Sequence, residues 1–178
     1  DIFWTTFLNN SSFFTSGNSN VSTSTGTMDV AGMKAAEAIF MAQTDPDGKP
    51  VGVMPAILLV PTNQKAAALQ LMNSELLIDG TSSGVQGNKN IWQGRFRVES
   101  SPYMQNSSYT GYSSIAWYLL ADPQEMPVIE IAALNGRVEP YVESADASFS
   151  TLGVEMRGYS DIGVSLQEYR GGVRADGD

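Results

Sequence analysis

Apolar positions change period along the chain, and each change marks an element. In the first ten residues, Ile2, Phe3, Trp4, Phe7 and Leu8 are spaced to share one side of a helical turn. That spacing predicts a short helix with a mostly aromatic apolar face. Residues 11–27 are Ser, Thr, Asn and Gly interrupted by Phe13 and Phe14, which reads as a loop pinned by two rings. Asp29 stands as the N-cap of a helix of about 29–44, with Val30, Met33, Ala36 or Glu37, and Phe40 on its buried face. Asp45-Pro46-Asp47-Gly48 ends that helix with strong turn chemistry.

Strand-like patterns follow. Ala56–Val60 is an unbroken apolar run between Pro55 and Pro61, the pattern of a central strand buried on both faces. Thr62 is placed to cap a second helix reaching about Asn73, with Ala66, Leu69, Met72 and Leu76 on one side. Gly80–Asn90 reads as a flexible loop, and Arg95–Glu99 alternates charged and apolar residues as a half-buried strand does. Ile115–Leu120 is a buried strand stopped by Asp122-Pro123. Val128–Leu134 runs into Asn135-Gly136, a hairpin signal, and the return strand Val138–Glu143 is expected at an edge because of Pro140.

Near the end, Val154, Met156 and Gly158 share one face of a strand, and Ile162, Val164 and Leu166 share one face of the next. With Ser160-Asp161 as the turn, they read as one long hairpin over about 152–169. A two-stranded ribbon is rarely stable unless it packs on something else. It is therefore a candidate for packing between subunits, with packing on its own domain as the alternative. The fold class expected is α+β: a mixed or antiparallel sheet, two main helices and a protruding C-terminal β hairpin.

Composition narrows the functions open to such a fold. The 178 residues, 42% of them hydrophobic, suffice for one compact domain or two small lobes sharing a core. Charged residues are only 16%, against about 25% in an ordinary soluble domain. Small uncharged polar side chains fill the deficit. Such a surface loses little on desolvation, which suits a repeated interface, and it equally suits a loop-rich β protein. The net charge of −9 and pI of about 4.3 repel phosphate backbones, and the ten basic residues form no run. The longest apolar runs are too short to cross a bilayer. No basic-then-apolar segment opens the chain, which begins at Asp1 in what reads as the middle of a structured protein. A fragment or processed product is the expectation.

The chain contains no Cys and no His, which removes thiolate chemistry, Cys-ligated zinc and the commonest general base. Gly80-Thr81-Ser82-Ser83-Gly84 has the spacing of a nucleophile elbow, but without a His base or a strand–helix context a hydrolase at Ser82 is a remote alternative. Asp45, Asp47 and Gly48 resemble the start of a calcium loop without its later ligands. Glu125, Glu130, Glu139 and Glu143 are expected on solvated faces. Asn10, Asn20 and Asn106 each begin an Asn-x-Ser/Thr triplet, as chance allows in so Ser-rich a chain. The expectation is a non-enzyme with no catalytic residue, no cofactor, no metal and no small-molecule substrate. Among the aromatics, Trp117 and Tyr118 are expected in the core. Trp92, Tyr103 and Tyr109 either anchor an interface or form a satellite cluster beneath a loop.

Several passages share an order with one known family. Ser114–Pro123 (SIAWYLLADP) resembles a segment of major capsid proteins of Mu-like tailed phages and prophages. So do Ile129–Gly136 (IEIAALNG) and the Glu139–Glu143 that follows. Gly153–Arg157, Asp161–Gly163 and Arg170-Gly171 match the family's later strand, turn and closing pair. Upstream, Ile57–Pro61 before a helix resembles its strand–helix unit, and the opening fits more loosely. Capsid regions that prophages encode behind a fused prohead protease look similar too.

The resemblance implies the Hong Kong 97-type capsid fold, here without its N-terminal arm and extended loop. It implies an axial-type region over 55–136, and a peripheral-type region over 1–54 and 137–178. The function implied is a structural subunit of an icosahedral head, assembled in the bacterial cytoplasm and resident in the virion. Its partners would be copies of itself in hexamers and pentamers enclosing DNA without sequence-specific binding, and no membrane. Another phage structural component, or the shell of an encapsulin-type compartment, is the alternative. Trp92, Arg95, Arg97, Arg157, Arg170 and Arg174 are the candidate interface residues, the arginines as partners for carboxylates of adjacent subunits.

Overall fold

A computed structural model describes residues 1–23, 28–78, 87–146 and 153–177, with the backbone alone at 77, 78, 87, 88 and 146. The helices are α1 (Ile2–Leu8), α2 (Val30–Met41) and α3 (Lys65–Asn73). The first strands are β1 (Val21–Ser22), β2 (Pro55–Pro61), β3 (Leu76–Ile78), β4 (Gly87–Lys89), β5 (Arg97–Ser101) and β6 (Trp117–Ala121). After them come β7 (Ile129–Ala133), β8 (Tyr141–Asp146), β9 (Val154–Tyr159), β10 (Ile162–Leu166) and β11 (Gly172–Ala175). The class is mixed α and β, as the patterns predict.

The body is a five-stranded mixed sheet in the order β1-β11-β6-β2-β5. Antiparallel ladders join β6 to both β11 and β2, while parallel ladders add β5 and β1 at the edges. The expected central strand is indeed interior, and its flanking prolines sit at its two ends, where the sheet tolerates them. The sheet takes β1 and β11 from one expected region of the chain and β2, β5 and β6 from the other.

Period-2 alternation divides the side chains between two cores. On one face Leu58, Val60, Trp117, Leu119, Ala121, Val173 and Ala175 pack against Met33, Ala36 and Phe40 of α2 and Ala68, Leu71 and Met72 of α3. On the other, Leu59 and Tyr118 meet Phe7 and Leu8 of α1, with Phe14, Met104 and Val128. The layers are therefore helices, sheet, then α1 with an aromatic loop.

Buried amides stitch the loops to these cores. Asn10 Nδ2 donates to Phe7 O at 2.7 Å and to the Tyr118 hydroxyl at 3.2 Å. Asn20, fully buried, donates to Phe13 O and Tyr169 O, both at 3.1 Å, and accepts from Thr15 N at 2.9 Å. Asn90 donates to Leu71 O and Ser74 O and accepts from Trp92 N. Each buried amide thus finds backbone partners, as a group removed from water must. A glycan has no access to Asn10 or Asn20 in the folded chain.

The expected Asp29 cap forms, its carboxylate accepting from Gly32 N at 2.7 Å. The helix ends at Met41 rather than about Thr44. Asp45 Oδ1 accepts from Asp47 N and Lys49 N at 2.9 and 2.8 Å, so the turn itself employs this carboxylate. Thr62 is not the cap of α3. It opens a 3-10 turn, Thr62–Gln64, and neither helical start has a side-chain cap. That tighter turn advances the phase. The buried stripe is Ala68, Leu71 and Met72, while Ala66 and Leu69 face solvent and Leu76 belongs to β3. The expected loop 80–90 ends in β4, which pairs with β3, and residues 79–86 lie outside the described residues.

Strand partners differ most from expectation. Asn135 and Gly136 take φ of 56° and 71°, as a tight turn of this kind demands, yet their flanking strands do not pair. Strand β7 pairs with β10, and β8 pairs with β9. The expected hairpin of Val154–Tyr159 with Ile162–Leu166 is absent, because those consecutive strands lie in different ladders. Alternation fixes which face a side chain takes but not which strand lies beside it. The result is one long arm made of a proximal ribbon, β7/β10, and a distal ribbon, β8/β9. Residues 134–140 on one strand and 160–161 on the other form an elbow between them.

Two predictions follow from the packing. Gly48 and Gly111 have similar φ, +79° and +83°, but a Cβ at Gly111 would lie 2.0 Å from Leu8 O and one at Gly48 meets nothing within 4 Å. Gly48→Ala should cost about 1–2 kcal/mol through backbone strain alone, and Gly111→Ala clearly more, in urea unfolding. Burial, opposed by the Asn10 hydrogen bond, holds the Tyr118 hydroxyl above its ordinary value of 10.0. The unfolded chain then loses that proton first, so stability is intact below pH 10 and falls as pH rises past it. Unfolding midpoints across that range should fall less steeply for Tyr118→Phe.

Candidate functional site

The distal ribbon is amphipathic and bare. Cross-strand partners in an antiparallel ladder point to the same side. Tyr141 with Tyr159, Glu143 with Arg157, and Ala145 with Glu155 therefore share one face. Val142 with Gly158, Ser144 with Met156, and Val154 share the other. On the first face the two tyrosine rings stack at 5.3 Å and Arg157 holds Glu143 at 2.6 Å. The Tyr159 hydroxyl donates to Glu143 Oε1 at 3.2 Å, and the neighbouring Glu143 charge raises its pKa. The second face has no such occupation: Val142, Val154 and Met156 are 71%, 62% and 73% exposed. Strands β8 and β9 pack principally on each other.

A second apolar surface lies at the root of the arm. Helix α1 packs on β10, and Ile2, Phe3, Ile131, Val138, Ile162 and Val164 line a groove of about 390 Å³ there. Asp1 and Ser160 are its polar members. Ile131 and Ile2 remain half exposed.

The six residues singled out from sequence are not brought together. Trp92 is 2% exposed, its ring 5.9 Å from Phe96 within the α2–α3 core, so it has no surface to offer a neighbour. Arg95 lies over the Trp92 ring and pairs with Glu37. Arg97 pairs with Glu99 at 3.1 Å along edge strand β5. Arg170 pairs with Glu168 at 2.8 Å, donates to Thr44 O at 2.7 Å and lies over the Tyr169 ring. Arg174 pairs with Asp176 at 3.0 Å. Each arginine is thus engaged by a carboxylate of its own chain. Arg97 and Arg157, whose side chains are the most open, are the two still reachable from outside.

The loop aromatics resolve as a satellite cluster. Tyr103 stacks on Trp4 at 5.7 Å and meets Tyr109 edge-on at 5.6 Å. Ser82 lies outside the described residues. No described group of His, Cys, Asp or Glu has the makings of a metal site, and no described helix is long and apolar enough to cross a membrane.

The model of a family described as phage capsid protein matches residues 1–175. The chain belongs to that family. No curated protein matches it. Capsid proteins are structural, and the family places this chain in the shell of a virion as one of many subunits. For a capsid subunit the relevant site is a surface, and these two apolar surfaces are the candidates. Alternation in the sequence places Val154, Met156 and Gly158 on one face, but Val142 and the groove are not legible there, because Ile2 and Ile131 are far apart in sequence and meet only through the β7/β10 pairing and the packing of α1 on β10.

The arginines divide by environment. Arg157→Ala should cost no more than about 1 kcal/mol, because its ion pair is exposed. Arg95→Ala also loses contact with Trp92 and Phe96 and should cost more, as measured by chemical denaturation of both variants.

Proposed function

We propose that this chain is a self-assembling head subunit of a Mu-like phage or prophage, with a Hong Kong 97-type fold, whose copies form hexamers and pentamers around DNA. The observation that carries this reading is the distal ribbon, which folds with one apolar face uncovered. A face of Val and Met left in water is unfavourable for a monomer and is what an assembly covers. In this reading the five-stranded sheet is the axial-type body, widened beyond 55–136 by β1 and β11. The arm is the peripheral-type element.

The electrostatics support a container. At a net charge of −9, with five of its six arginines paired to carboxylates of the same chain, the chain has little with which to grip a phosphate backbone. Packed DNA would be enclosed rather than bound. The subunit performs no catalysis in this reading, and assembly takes place in the bacterial cytoplasm. Ring closure multiplies a modest pairwise contact, so no single interface need be strong.

Sedimentation velocity and electron microscopy of the purified protein test this. Wild type should form oligomers whose fraction rises with concentration. Val154→Asp together with Met156→Asp should shift them to monomer without changing the unfolding midpoint. A wild type that stays monomeric at every concentration and salt condition sinks the proposal.

A further inference from the structure

We propose that the apolar face of one subunit's distal ribbon docks in the groove between α1 and the proximal ribbon of a second copy of this chain. The inference rests on the assembly reading above and names the surfaces that perform it.

The two surfaces are complementary in shape and chemistry. Val142, Val154 and Met156 project from a ribbon, and the groove is a concavity with six apolar liners. Its volume of about 390 Å³ admits aliphatic side chains of Val and Met size. The ribbon cannot fill its own groove. Val138 and Ser160, in the elbow, line the groove, and the distal ladder runs from Tyr141/Tyr159 to Asp146/Val154 beyond that elbow. Five steps at about 3.3 Å carry Val154 roughly 16 Å along the strand from the Tyr159 end of the ladder.

Charge selects the occupant. Copies that each carry −9 repel wherever their acidic surfaces meet. Val142, Ser144, Met156 and Val154 of the ribbon face are uncharged, the acidic position on that face is Asp146 in register with Val154 at the far end of the ladder, and the groove has Asp1 as its one charged member. Both patches are mostly uncharged, so two acidic copies meet less repulsion there than across surfaces dense in carboxylates. The opposite ribbon face is fixed by the tyrosine stack and the Glu143–Arg157 pair. The ribbon therefore reaches its partner already shaped, which lowers the entropy lost on docking. Because the ribbon face and the groove are different patches, the contact is heterologous, and copies joined by it form a ring where the rotation between them closes.

The absence of native cysteine makes a direct test possible. One preparation carries Met156→Cys and a second carries Ile131→Cys. A second pair uses Val154→Cys with Val138→Cys. Folding of each is checked by circular dichroism. Mixed and mildly oxidised, at least one pair should give disulfide-linked dimers in severalfold greater yield than either variant alone, and Ile162→Asp in the groove partner should suppress them. Dimers from Met156→Cys alone would mean ribbon packing on ribbon and would overturn the docking. So would oligomers in which neither pair crosslinks. A strictly monomeric wild type overturns the assembly reading itself and the docking with it.

Discussion

A strand with both faces buried must find every partner for its backbone within the sheet. Strand β6 meets that requirement between β2 and β11. Its side chains then serve both cores at once: Trp117, Leu119 and Ala121 toward α2 and α3, Tyr118 toward α1. The helices and the aromatic loop pack on one face or the other of the sheet built around β6, and the last strand pairs along its edge. Among the described residues, most of the buried polar side chains are amides with backbone partners, Ser22 and Ser101 being the others. Asn10, Asn20 and Asn90 each tie a loop to its neighbour, a sheet strand, another loop or the end of α3, with two or three hydrogen bonds. The polar composition that suggested a desolvatable surface is thus partly internal, spent on holding irregular backbone in place.

Local signals were legible in the sequence because their physics is local. The Asp29 cap, the apolar run 56–60, the positive φ at Asn135-Gly136 and the aromatic first helix depend on residues within a few positions of one another. The paired faces of Val154 and Met156 were legible for the same reason. What could not be read was which strand lies beside which. Asn135-Gly136 has the conformation of a hairpin turn but lies in an elbow, and the partner of β7 begins at Ile162 rather than Tyr141. Likewise α3 was identified but rotated, because the 3-10 turn before it shifts the phase of its apolar stripe.

The intrachain pairing of the arginine candidates has a related reason. In a chain with 19 acidic and ten basic residues, each cation has carboxylates to choose from within its own fold. Arg95, Arg97, Arg157, Arg170 and Arg174 all take one. Trp92 is buried because Asn90 and the cap of Arg95 hold its loop against the core. On the arm, by contrast, Val142, Val154 and Met156 form an exposed apolar face.

The elbow of the arm sets seven residues, 134–140, against two, 160–161. Across it one backbone hydrogen bond, Leu134 N to Asp161 O at 3.1 Å, links the strands among the described residues. Seven residues against two break the continuity of the ribbon, so the face a side chain takes in the proximal ladder does not carry through to the distal one, and each ladder can present its own surface.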